Sequence, residues 1–293
     1  MALTKTLPRE TNAPRTIKMF HVKQLLLLTC AGTLCLFLTS SAGKEGNASA
    51  ALAQSAAARR VPVLVELFTS EGCSSCPPAD ALLAQLEAQQ PLTGAEVVAL
   101  EEHVDYWNQQ GWMDPFSSSQ WTERQQKYAA ARRDEQIYTP QMVINGHAQF
   151  VGSHESQARH EIEQAALQPG ADISVQVSPA EKKDTARFAV SVAALSPSDA
   201  GEPVEAWLAI TESGLHSAVK AGENSGRDVH HADVVRILHK LGAADAHKTP
   251  SFSAEHNVKL DHSWNRQNLR AIAFVQGKRG LRVLGARSVR IEP

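Results

Sequence analysis

Two cysteines three residues apart, Cys73 and Cys76, are the residues of this chain best equipped for chemistry. A Cys-Ser-Ser-Cys run can cycle between dithiol and disulfide, because the two intervening residues let the second sulfur come round one helical turn onto the first. A thiolate, not a thiol, attacks a disulfide, so the first cysteine needs a stabilised anion. A helix N-terminus supplies that, with its positive dipole end and unpaired N–H groups. On this reading Cys73 is the nucleophile and Cys76 resolves the mixed disulfide, with Cys73 the more exposed of the two. The residue that follows is Pro77 rather than His, which argues against c-type haem attachment, and a zinc ribbon would need a second cysteine pair. The alternative is a structural disulfide or two core thiols, although a staple across so short a loop removes little chain entropy.

The flanking sequence predicts elements that would present this pair. Val61 to Phe68 is a β-branched apolar run and reads as a buried strand. Thr69 to Gly72 is turn-like. A helix then carries Ala79, Leu82, Leu83 and Leu86 at helical spacing and stops near Gln90-Pro91, with Pro77 and Pro78 in the first turn where missing N–H groups cost least. Further strands are expected at Val97 to Val104, Gln141 to Asn145 and Ala148 to Val151. Helices are expected at Ser118 to Arg133 and Ser153 to Leu167.

The first residues read as an export signal. Lys5, Arg9, Arg15, Lys18 and Lys23 precede the apolar run Leu25 to Leu38, and small residues follow. The run is shorter than the ~20 residues that span a bilayer as a helix. A cleaved signal and linker over 1–53 is therefore expected, with an uncleaved anchor as the alternative. Cys30 and Cys35 leave with it, so the exported chain keeps only Cys73 and Cys76. Without residues 1–42 the chain carries 24 basic and 30 acidic residues, which gives no electrostatic case for nucleic acid or for an anionic membrane surface. No stable membrane embedding of the mature chain is expected. In an oxidising compartment a close cysteine pair is usually a disulfide for part of its life.

The segment VLVELFTSEGCSSC resembles the strand-to-CxxC region of thioredoxins and glutaredoxins, and IYTPQMVING is a second match. The resemblance implies that Pro140 is the cis-proline facing the cysteines. It also implies that Thr139 offers its backbone to an extended substrate segment, and that Glu66 is the buried acid that moves the proton of the resolving cysteine. A buried carboxylate has the raised pKa such a base needs; a glutamate at a solvent-facing edge is the other option. Taken together, ELFTSEGCSSCPPAD, HVDYWN, GWMDPF, YTPQMVING and GENSGRDVHHADVVR resemble an exported, thioredoxin-like bacterial family catalogued as domain of unknown function 1223. The implied fold is an α/β thioredoxin-like domain over 61–168, with a helical insertion at 118–133.

Loops after strands of such sheets gather near the ligand side. His103 and Trp107 are accordingly candidates for a substrate-contacting wall, or else the aromatics pack the inserted helix onto the sheet. After Pro169-Gly170 the texture changes to short β-forming runs, so residues 172–293 are expected to form a smaller, mainly-β, sandwich-like domain. His230 and His231, with His216 or His239, offer imidazoles for a metal. Adjacent residues on a strand point to opposite faces, however, so a solvated loop or inter-domain contact is expected, with no metal and no cofactor. The function read from the sequence is an exported thiol–disulfide oxidoreductase. It would act on thiols or disulfides of exported proteins and be reset by a redox partner protein. The alternative is a binding module or copper assembly chaperone that uses the same thiols.

Overall fold

The computed structural model describes residues 60–168, 170–193, 195, 201–245 and 251–292. The expected signal and linker at 1–53 lie outside the described residues. Strand β1 (Val61–Thr69) leads through the cysteine turn into helix α1 (Pro77–Gln89). Gln90 ends that helix in the left-handed region, just before Pro91 makes continuation impossible. Strand β2 (Ala95–His103) follows, then α2 (Ser119–Arg132). The Ser118 side chain caps α2 by accepting from the Gln120 N–H, and Arg133 closes it in the left-handed region. The hairpin β3 (Gln141–Ile144) and β4 (Ala148–Val151) and helix α3 (Glu155–Ala166) complete the first half. No helix among the described residues is long and apolar enough to cross a membrane.

Among the described residues the regular structure of the second half is strand apart from one short 3₁₀ turn: β5 (Ile173–Pro179), β6 (Thr185–Val192), β7 (Val204–Glu212), β8 (Leu215–Ala218), β9 (Asp228–His231), β10 (Val234–Ala244), β11 (Phe252–Lys259), β12 (Leu269–Gly277) and β13 (Val283–Arg290). The expected division at 169–172 is not a division of the sheet. One mixed eight-stranded sheet runs β13-β12-β7-β10-β2-β1-β3-β4, and a smaller sheet runs β11-β6-β5. The join is a parallel pairing of Val234 with Glu101, where the Glu101 N–H donates to the Asp233 carbonyl at 3.0 Å. A bare strand edge at β2 would leave N–H and C=O groups without partners; the second half pairs it at Glu101, and the Gln90 side chain pairs both backbone groups of Val97.

Side chains alternate across this sheet and sort its two faces. Val63, Val65, Leu67, Val97 and Ala99 pack with Leu83 and Leu86 of α1 and Ile162 of α3. Leu64, Val98 and Leu100 face the other way, against Trp121 of α2, and share one core with Ala209, Val235, Ile272 and Phe274 of the second half. The small sheet lies on the α1 side, where Phe188 and Val258 meet Leu208, Ile210 and Ala271.

Cutting the chain at residue 168 should therefore expose Leu64, Val98 and Leu100. At about 1.5–3 kcal/mol per buried aliphatic side chain, the loss is comparable with a whole domain's 5–15 kcal/mol. A 60–168 fragment is expected to show no cooperative thermal transition by far-UV circular dichroism. A folded fragment with a sharp melt would restore two independent domains.

Candidate functional site

Strand β1 delivers Thr69 to the end of the sheet, and a turn at Ser70–Gly72 brings the chain to the cysteines. Cys73 and Cys76 are disulfide-bonded, with Cα atoms 5.4 Å apart. Cys76 is the N-cap of α1, and its carbonyl accepts from the Ala79 and Asp80 N–H groups at 2.8 and 3.1 Å. Pro77 and Pro78 occupy the first helical positions, where an N–H would have no intrahelical acceptor.

Ser74 and Ser75 are exposed, but both cysteines have 0% relative exposure, which corrects the expectation of a more accessible Cys73. The cover is the loop at 219–227 between β8 and β9. Asn224 Nδ2 donates to the carbonyls of Glu71 (2.8 Å) and Cys73 (2.9 Å), while Glu223 accepts from the Ser74 N–H at 3.1 Å. Gly222 sits at φ +74°, and a Cβ there would come within 3.2 Å of Trp112 Cβ. The glycine meets both demands of this position, a left-handed backbone and a close approach.

The second motif meets the first at α1. The Thr139–Pro140 bond is cis, and Pro140 is buried. A Cβ on Gly152 would lie 3.1 Å from Ala79 Cβ and 3.4 Å from Pro140 Cβ, so Pro140 and the first turn of α1 pack against one small residue. Trp107 Nε1 donates to Thr139 Oγ1 at 2.8 Å, and Trp107 Cβ would be 3.1 Å from a Cβ on Gly72. Trp107 thus bridges the cysteine turn and the Thr139-Pro140 segment.

Glu66 lies on the other face. It is paired with Leu100 and stands two residues from Phe68 and Leu64 on the α2 side. Arg124 Nε donates to its Oε1 at 2.6 Å, and the Tyr128 hydroxyl donates to its Oε2. Arg124 also stands 3.2 Å from Glu102 and donates to Gln276 of β12 at 3.2 Å. Burial, with Glu66 alongside, pushes Glu102 well above the usual carboxylate range despite Arg124. Glu66 is therefore neither solvent-facing nor behind the cysteines. The helix-borne buried acid on the cysteine side is Asp80, four residues after Cys76 and so on the same helix face. It is 1% exposed, accepts from Thr69 Oγ1 at 2.6 Å, and leaves Oδ2 without a partner. Burial and then Glu101 push its pKa up to about 7. An acid at the fourth position after the second cysteine, on an otherwise apolar helix face, was the signal in the sequence for it.

His103 is fully buried in a polar network behind the cysteine turn rather than lining a groove. Its Nδ1 is 2.7 Å from Asp114 Oδ2, and Asp114 also accepts from the Glu71 N–H at 2.9 Å. His231 bridges Glu101 (Nδ1, 2.7 Å) and Glu71 (Nε2, 3.1 Å), and Trp112 Nε1 donates to Glu71 Oε2 at 2.7 Å. Although burial alone would lower it, Glu101 and Glu71 raise the His231 pKa to about 9. His103 is likewise raised well above its ordinary value, by Asp114 against the effect of burial. His230, one residue from buried His231, is exposed, as strand alternation requires. It stacks on His216 with ring centroids 5.4 Å apart.

The family described as "Protein of unknown function (DUF1223)" matches residues 64–276, a span that takes in both cysteine and histidine motifs. The chain belongs to that family. Among solved structures it is similar to an X-ray crystal structure of an Agrobacterium tumefaciens protein, a structural-genomics target. That match has 24% identity and a TM-score of 0.61 and covers 80% of this chain and 96% of that one. It is also similar to HBP35 of Porphyromonas gingivalis, with 14% identity and a TM-score of 0.56, over 79% of this chain and 76% of that one. At these identities the likeness concerns the fold: a large central mixed sheet with few helices. A search of curated proteins returned no match.

Removing the loop's grip should open the site. Asn224→Ala deletes two of the loop's three hydrogen bonds to the cysteine turn and leaves two buried carbonyls unsatisfied, a cost of about 1–3 kcal/mol each. The expected outcome is a roughly tenfold faster alkylation of reduced Cys73, since ~1.4 kcal/mol is a factor of ten. An unchanged alkylation rate would mean that the 219–227 loop does not control access.

Proposed function

We propose that this chain is an exported thiol–disulfide oxidoreductase of thioredoxin-like design, acting through Cys73 and Cys76. The observation that carries the reading is the disulfide at the N-terminus of α1, from the preceding turn to the N-cap, with a buried carboxylic acid one turn into the helix. Pro140 packs against that turn through Gly152, which supports a groove for an extended segment beside the cysteines, with Thr139 and Trp107 at its edge. Export rests on the basic, apolar and small-residue order of the first 53 residues.

In the reduced protein the Cys73 thiolate attacks a partner disulfide. One S–S bond forms, the partner's S–S bond breaks, and one partner sulfur leaves as a thiolate that takes up a proton. The Cys76 thiol then passes its proton to Asp80 and attacks Cys73 Sγ, which releases the second partner thiolate. Two electrons have moved to the partner, and the Cys73–Cys76 disulfide is restored. The same steps run backwards oxidise a partner dithiol, and a redox protein resets the pair in either direction. The alternative reading is a copper module that uses the same thiols together with a histidine. Both nearby imidazoles, His103 and His231, are turned to carboxylates instead.

General acid–base groups contribute about 10²–10⁴ in rate, so Asp80→Asn should slow resolution of the mixed disulfide by about 10². Glu66→Gln, on the opposite face, should leave the rate per folded molecule unchanged. Stopped-flow reduction of a model peptide disulfide measures both. Wild-type rates in Asp80→Asn would remove Asp80 from the mechanism, and exchange surviving in Cys73→Ser would remove the reading itself.

A further inference from the structure

Behind the cysteine turn, Glu101, His103 and His231 converge, with one ligand-type atom from each within 4.8 Å of the others; Glu101 Oε1 is 3.4 Å from His103 Nε2 and 2.7 Å from His231 Nδ1. We propose that these three residues form a buried binding site for a borderline divalent cation of zinc's chemistry. No cysteine takes part, so the site stands or falls independently of the thiol chemistry above.

Three observations point to a cation. First, His103 Nε2 is a buried ring nitrogen without a hydrogen-bond partner, 3.4 Å from Glu101 Oε1. Zinc bonds of about 2.0–2.1 Å in tetrahedral geometry place neighbouring ligand atoms roughly 3.3 Å apart. That pair already has the spacing, and the 2.7 Å contact between His231 Nδ1 and Glu101 has to open by only about 0.6 Å.

Second, each ligand is already oriented from behind. The far nitrogen of His103 meets Asp114 at 2.7 Å, and that of His231 meets Glu71 at 3.1 Å. The second oxygen of Glu101 accepts from the Ala232 N–H at 2.7 Å. A carboxylate on the outer nitrogen of each imidazole is the arrangement that fixes ring orientation at metal centres.

Third, the buried carboxylates outnumber their partners: even with both imidazoles protonated, three carboxylates would face two cations. Glu71, Glu101 and Asp114 are buried together, and among the described residues no lysine or arginine pairs with any of them. Two imidazoles and a carboxylate suit zinc. An all-oxygen set would suit magnesium or calcium, and thiolates would suit copper(I).

Such an ion would tie β2 to β9, the strand that leaves the 219–227 loop, and through Glu71 it would brace the turn before Cys73.

The test uses the full mature chain in a His216→Ala, His230→Ala background, which removes the exposed imidazoles that stack beside Asp228. Zinc is added, weakly bound metal is dialysed away, and the remainder is counted by mass spectrometry. About one zinc per chain is expected, with a Co(II)-loaded form showing the visible absorption of a tetrahedral site. His103→Ala should lose that metal. Asp114→Asn keeps all three ligands and should bind zinc about 10–100-fold more weakly. Should either variant misfold, the parent protein decides alone: chelation must remove its metal and lower its Tm, and zinc must restore it. A cooperatively folded parent that takes up neither Zn²⁺ nor Co²⁺ would overturn the proposal and leave an ion-paired cluster of imidazolium and carboxylate. Full zinc occupancy in a folded His103→Ala would overturn it equally.

Discussion

A single parallel contact, Val234 of β10 against Glu101 of β2, is the constraint on which the rest of this structure depends. It turns two sequence regions of different texture into one sheet and fixes where the chain just before β10 must lie. His231 is three residues upstream of Val234, so the pairing sets its imidazole against Glu101 and Glu71. The same path carries the 219–227 loop over the cysteine turn, where Asn224 replaces water on two carbonyls. Parallel pairs need long crossovers. Here the crossover runs from α2 through β9 and includes two strands of the small sheet, which explains why the covering loop comes from residues so distant in sequence.

Strand β2 then divides the buried charge. Glu102 points to the α2 side, where Arg124 serves both it and Glu66. Glu101 and His103 point to the α1 side, into the cluster with His231 and Asp114. An isolated buried charge is too costly to keep, so three consecutive polar residues at a strand end imply partners on both faces. One face found a guanidinium from an inserted helix, and the other found imidazoles and carboxylates from three separate segments. The two networks are separated only by the thickness of the sheet.

Much of the first half was legible because its signals are local. The Ser118 cap, the Pro77-Pro78 start and the Gln90-Pro91 stop of α1, and the turn at Asn145-Gly146 act over a few residues, and the elements begin and end within about two residues of where those signals put them. Strands β8 and β11 were not legible. Their polar, half-exposed sequences are strands because of their neighbours. Glu66 was misplaced for a related reason. Its position along the strand was right, but the face it points to depends on parity, and the longer turn before Cys73 makes analogy a poor guide to parity. The His103–His231 meeting had no local signal at all, since it follows from the β2–β10 pairing alone.

The covered disulfide has a consequence for how its redox state is set. Exchange requires in-line approach to a sulfur, and neither sulfur here offers a surface to a colliding small thiol. While the loop is closed, the bond is out of equilibrium with whatever low-molecular-weight thiols surround it. Under the proposed function, its state would then record the last partner able to displace Asn224 and Glu223, and the ambient redox potential would be read only through that encounter.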